Sequence, residues 1–143
     1  MERARHGDLM NYWLMKSEPS TYSIDDLKKD RSTSWEGVRN YQARNFMRDS
    51  MKKGDLAFFY HSNAEPSGVA GVARVSREGY AEKNPLWSMV DVEFVEKFKN
   101  FVPLEALKNN PALNGMLVIK RGMRLSVQPV EKKHFDAVCG MGR

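Results

Sequence analysis

Recognising a planar heterocycle takes an aromatic face for stacking and short polar groups for its edge. An attached phosphate adds a need for cations or backbone amides. The stretch from Ser34 to Arg48 holds all three kinds of group. Trp35 offers the aromatic face, and Asn40 and Asn45 offer amides, with the Ser17 hydroxyl upstream as a third short polar group. Arg39, Arg44, Arg48 and the upstream Lys16 supply positive charge. Tyr60, His61 and Ser62 end an apolar run further on and add an aromatic, an imidazole and a hydroxyl. Plainer readings stand beside these. Trp35 suits a core as well as a binding wall, and Arg44 and Arg48 suit a solvated helix face. Tyr60 and His61 read more simply as packed strand residues, and Trp13 and Trp87 as core.

Catalytic patterns are missing. His61 and Ser62 are neighbours on an extended segment, so their side chains point to opposite faces and cannot pair as nucleophile and base. No G-x-S-x-G, Walker loop, H-E-x-x-H or G-x-G-x-x-G is present. The carboxylates of Glu18, Asp25, Asp26, Asp55, Asp91 and Glu93 are scattered and read as solvated or capping groups. The single Cys139 excludes an internal disulfide, and three dispersed histidines do not make a zinc site. No catalytic residue, metal or cofactor is therefore expected.

The chain of 143 residues, 41% hydrophobic and 29% charged, has the size and composition of one globular domain. A net charge of +5 favours polyanionic partners without requiring them. No apolar run approaches the ~20 residues of a membrane helix, and the charged start lacks a signal-peptide core. A reducing intracellular setting is expected: cytoplasmic, with nucleoid association open, or nuclear in a eukaryote.

The elements that must position these groups follow from periodicity and punctuation. Tyr12–Lys16 reads as a buried strand. Ser23 and Asp26 have the form of a capping box that starts a short helix to Lys29, and a polar loop leads to Trp35. Asn40 is placed to cap a helix over Tyr41–Met51, with Tyr41, Arg44, Asn45 and Arg48 on one face and Ala43, Phe46 and Met47 on the other. Strands are predicted at Leu56–Ser62, Val69–Ser76 and Trp87–Phe98, the last with a bulge near Val95. Arg77–Leu86 reads as loop, and Pro103 as the first residue of a helix to Lys108. Lys120–Gly122 is a basic turn, and Leu125–Val130 an edge strand because Pro129 cannot donate to a ladder. A helix over Glu131–Cys139 would close a single domain of residues 11–139, between an arm over 1–10 and a frayed tail over 140–143. The sum is an α+β fold of five or six mostly antiparallel strands, curved or closed into a small open barrel, with short flanking helices.

Several blocks in order carry a more specific message. Tyr12–Pro19, Tyr22–Leu27, Trp35–Asn45, Gly54–Asp55, Phe59–Asn63, Trp87–Val92 and Arg121–Val130 together resemble the EVE domain family, over about residues 11–138. The resemblance implies a PUA-like fold and binding of one modified nucleobase in an aromatic-walled pocket. It points to modified cytosines such as 5-methyl- or 5-hydroxymethylcytosine in DNA, with RNA modifications or a small nucleotide as alternatives, by a monomer. Carried onto this chain, Trp35 would be the stacking wall, with Lys16, Ser17 and Asn40 at the base edge. Arg44 and Asn45 would lie near the mouth, Tyr60, His61 and Ser62 on the adjoining strand end, and Arg39 and Arg48 toward phosphate. One departure stands out: the segment Gly79–Leu86 is shorter than the corresponding loop of many members.

Overall fold

The computed structural model describes residues 10–143; apart from Met10, the expected N-terminal arm lies outside them. Six strands form one curled sheet: β1 (Tyr12–Ser17), β2 (Ser32–Trp35), β3 (Leu56–His61), β4 (Gly68–Ala81), β5 (Ser88–Pro103) and β6 (Val127–Val130), in the order β2-β5-β4-β3-β1-β6. Four short helices flank it: α1 (Ile24–Asp30), α2 (Tyr41–Asn45), α3 (Leu104–Lys108) and α4 (Lys132–Gly142). All neighbouring pairs are antiparallel except β1–β3, which run parallel because the chain between them crosses to the far edge to form β2. The sheet does not close.

Both sheet faces are covered, which explains why β1 and β3 read as unbroken apolar runs. Trp13, Met15, Ala57 and Phe59 point into one core with Ile24 and Leu27 of α1 and Ala43 and Met47 from the α2 region. Leu14, Phe58 and Tyr60 point into the other, against Leu107 of α3 and Phe135, Val138 and Cys139 of α4. Strand β5 serves both cores. Val72 pairs with Glu96 while Ala73 pairs with Phe94, so Val95 is the extra residue of a bulge. That insertion turns Phe98 into the second core where Val92 and Phe94 face the first, and a further register shift lies between Lys97 and Val102, which also enters the second core.

Several expected boundaries shift. The polar segment before Trp35 is a strand, β2, pairing Trp35 with Val90. Its serines and threonine suit an edge that gives up only one side chain, Trp35, fully to the core. Strand β4 continues through Ala81 rather than stopping at Ser76, because its outer half is a solvated hairpin arm that has no need of apolar residues. Pro103 ends β5 and sits at the N-cap of α3, one position before the helix. The tail over 140–143 is not frayed: α4 runs to Gly142, which lies against the Phe98 ring, and Arg143 pairs with Glu96 at 2.6 Å. The helix after Asn40 is also irregular. It is α-helical to Asn45 and then widens into a π-turn over Phe46–Ser50, closed by Met51 N–H donating to Phe46 O at 2.9 Å.

Candidate functional site

The C-terminal end of β1 and the edge strand β2 approach across the open side of the sheet and leave a cleft of about 470 Å³. Ser17 sits at the end of β1, and the segment that follows turns back so that Ser17 Oγ donates to Tyr22 O at 2.6 Å. Tyr22 then lies along one side of the cleft, its hydroxyl donating to Asp30 at 2.9 Å. Burial, reinforced by that carboxylate, pushes the Tyr22 phenol up to about 12, so it stays a neutral donor. Opposite, Ser34 and Trp35 end β2.

Trp35 belongs to the core and also borders the cleft. It is 9% exposed, and its ring meets Phe59 edge-on at 5.5 Å and 85°, while it also lines the cleft. The lip beyond it is Glu36–Arg39. Gly37 adopts φ of +85°, a left-handed conformation that side chains rarely take. Glu82, in the β4–β5 turn, holds this lip from behind. Its carboxylate accepts the Gly37 N–H at 3.0 Å and both terminal nitrogens of Arg39 at 2.8 and 3.1 Å. The Arg39 guanidinium holds the Glu82 carboxyl below its ordinary range.

Lys16 completes the cleft on the β1 side, with its ammonium 3.4 Å from Met123 O and 6.0 Å from the Tyr60 ring centroid. Burial pulls this ammonium below the usual lysine range. Together the cleft is lined by Trp35 and Tyr22, several hydroxyls, the Lys16 ammonium, the Arg39 guanidinium and one carboxylate, Glu36. Its volume lies within the range of ordinary small-molecule pockets.

Of the residues singled out by sequence, the structure brings Trp35, Lys16, Ser17 and Arg39 to this cleft. The others lie elsewhere. The Asn40 side chain caps α2, accepting the Ala43 N–H at 3.0 Å. Arg44 donates to Asn45 and to Leu86 O, and Arg48 pairs with Asp49 at 2.8 Å; all three side chains are on the outer helix face. Tyr60 lines a neighbouring cavity, and Ser62 N–H donates to Ser17 O at 2.9 Å. His61 Nε2 accepts the Ile24 N–H at 3.2 Å, so the nitrogen a general base would use is occupied. Tyr22, Thr33, Ser34 and Ser126 line the cleft and were not singled out. Thr33 and Ser34 carry the only usable sign, since they directly precede the tryptophan.

Trp87 is not a core residue. It lies in the turn before β5, stacked on Tyr41 at 5.1 Å and 18°, with the Arg39 guanidinium 5.0 Å over its ring. This stack ties the β4–β5 turn to α2. Among the described residues no group of His, Cys, Asp and Glu is placed to hold a metal ion, and no helix is long and apolar enough to cross a membrane.

The curled, incompletely closed sheet with helices on both faces is a PUA-like fold. A YTH domain of Zygosaccharomyces rouxii, solved with N6-methyladenosine RNA, shares that fold at a TM-score of 0.58 and 15% identity, over 94% of this chain and 87% of that one. A model of the EVE domain matches residues 11–141, and the chain belongs to that family. Human thymocyte nuclear protein 1 is 41% identical over 169 aligned residues, 94% of this chain and 75% of its own length. A crystal structure of a Pseudomonas syringae protein matches with a TM-score of 0.86 at 38% identity, covering 92% and 99% of the two chains. Human THYN1, solved in complex with 5-methylcytosine-containing DNA, matches with a TM-score of 0.84 at 40% identity over 93% and 98%.

Proposed function

We propose that this protein is a non-catalytic reader of a modified nucleobase in a nucleic acid, most simply 5-methylcytosine or a related cytosine in DNA. The observation that carries the reading is the Trp35-walled cleft, in a chain 40% identical to a human protein solved with DNA containing 5-methylcytosine. An extruded base would stack on Trp35, its polar edge meeting the Ser17 hydroxyl, Lys16 and the amides of the Glu36–Arg39 lip. Extrusion costs a few kcal/mol, and stacking on an aromatic returns ~1–3 kcal/mol, so binding should be modest and selective rather than tight. The cleft lining holds no histidine or cysteine and a single carboxylate, Glu36, which argues for recognition without turnover.

The test is binding of matched oligonucleotides, with and without 5-methylcytosine, to wild type, Trp35→Phe and Trp35→Leu. Preference for the modified strand should fall in that order, and the Leu variant should lose ~1–3 kcal/mol of affinity, about 5- to 150-fold. Circular dichroism keeps folding separate from binding, because Trp35 is also a core residue. Undiminished preference in a folded Trp35→Leu protein would refute the proposal.

A further inference from the structure

A second cavity, of about 460 Å³, adjoins the cleft, and Lys16 lines both. Its other charged walls are Lys108 at the end of α3 and Lys120 and Arg121 in the turn that precedes β6. No carboxylate contributes to the lining. Several cations elsewhere are paired: Arg39 with Glu82, Arg48 with Asp49, Arg74 with Glu93, Lys97 with Asp25 and Arg143 with Glu96. Lys108, Lys120 and Arg121 form no ion pair among the described residues.

The geometry of the turn is defined. Gly122 takes φ of +77°, Met123 N–H donates to Lys120 O at 3.2 Å, and Lys16 Nζ reaches Met123 O. The basic turn is thereby tied to the end of β1, the strand that also delivers Ser17 to the cleft. Four cations with no counter-charge, concentrated in a concave site that abuts a base-sized cleft, are the arrangement a phosphodiester satisfies.

We propose that the cavity lined by Lys108, Lys120 and Arg121 holds the backbone phosphate flanking the base seated against Trp35, with Lys16 bridging base and phosphate. This assignment rests on the base-reading function proposed above. It moves the phosphate contacts away from Arg39 and Arg48, whose guanidinium groups are already neutralised by Glu82 and Asp49. The Lys16 ammonium, weakened by burial, would regain a counter-charge from the same phosphate.

The test compares wild type, Lys120→Ala/Arg121→Ala and a charge-matched control, Arg74→Ala/Lys97→Ala, on duplexes with and without 5-methylcytosine across a salt series. Losing that one phosphate contact should flatten the plot of log K against log salt by up to ~0.9 in the turn variant. Affinity for the modified and plain duplexes should fall together, leaving their ratio unchanged, and the control should keep the wild-type slope. A wild-type slope in the turn variant, or an equal flattening in the control, would overturn the phosphate assignment while leaving base reading intact. If wild type shows no preference between duplexes yet the turn variant still flattens, base reading fails and the phosphate site stands as a backbone contact. If wild type binds neither duplex, both fail.

Discussion

Among the described residues Asp55 is the only buried acidic side chain, at 3% exposure, and its removal is a sharp test of how the first core is assembled. Its carboxylate accepts the Trp13 indole N–H at 3.0 Å, the Lys52 N–H at 2.9 Å and the Asn11 N–H at 3.2 Å. Its own backbone joins in, with Asp55 N–H donating to Lys52 O and Val75 N–H donating to Asp55 O. The side chain thus ties the start of β1 to the turn before β3, while the backbone of the same residue bonds the middle of β4. Hydrogen bonds to a charged group contribute about 1.5–3 kcal/mol, and an orphaned buried donor costs about 1–3 kcal/mol. The Trp13 indole is buried, while the two amides are only partly so and regain some water. Asp55→Ala should therefore cost ~3–5 kcal/mol, a large share of the ~5–15 kcal/mol typical of a domain. Asp55→Asn keeps one oxygen for Trp13 and Lys52 and turns an NH2 toward the Asn11 N–H, so ~1–2 kcal/mol is expected. Urea unfolding followed by tryptophan fluorescence measures both, and a double-mutant cycle with Trp13→Phe isolates the indole contact. An Asp55→Ala loss below ~1 kcal/mol, or an Asn variant as damaged as the Ala one, would refute this account.

Two further outcomes follow from local geometry. His61 must stay neutral to accept the Ile24 N–H, and burial pulls its imidazole below the ordinary 6.5. The unfolded chain then binds the proton more readily, so this contribution to stability is complete above pH 6.5 and is lost as pH falls from there through the folded value; thermal melts from pH 8 to 5 should show the decline, and His61→Gln should flatten it. In α4, a Cβ on Gly140 meets nothing within 4 Å, whereas one on Gly142 would sit 2.3 Å from the Phe98 ring. Gly140→Ala should therefore raise stability by ~0.5–1 kcal/mol through helix propensity, and Gly142→Ala should lower it; equal effects in calorimetry would show that the end of α4 is not packed as described.

Much of the frame was legible because it rests on local chemistry. Ser23 and Asp26 do form the reciprocal capping box, Asn40 does cap α2, and Pro129 does lie on an edge strand. The bulge at Val95 was visible as a break in alternation. What was hidden depends on partners distant in sequence. Strand β2 exists because β5 lies beside it, and four residues that include two serines and a threonine give no pattern of their own. The outer arm of β4 is polar because it is held with little burial, by its pairing with β5, the close approach of Gly79 to the Met47–Arg48 backbone and the Lys53 N–H bond to Glu78. Trp87 looked like core because tryptophan usually is, yet Tyr41 and Arg39 cover it at the surface. At the cleft, Trp35, Lys16 and Ser17 were recoverable from the chain, but Tyr22 and Ser126 arrive by turns whose direction no spacing encodes. Asn40 carried two readings, and the cap is the one its side chain makes here, accepting the Ala43 N–H outside the cleft lining.

Under the proposed reading, the cleft would gain selectivity from parts that do not touch the ligand. Trp35 is fixed edge-on by Phe59, so a stacking base meets a ring with little rotamer freedom left to lose. The lip is fixed by Glu82, which bonds Gly37 and Arg39 from the hairpin behind it. A rigid wall and a rigid lip discriminate by fit, and the size of that discrimination is bounded. Burying one methyl returns ~0.8 kcal/mol, about fourfold, and a closely fitted pocket extends a one-carbon difference to ~1–3 kcal/mol. If the cleft reads 5-methylcytosine through its methyl group alone, preference over cytosine should lie between about fourfold and 200-fold. A larger ratio would require a polar group at the cleft that bonds the modified base and is left unpaired by the plain one, and Ser17, Thr33 and Ser34 are the hydroxyls to substitute first.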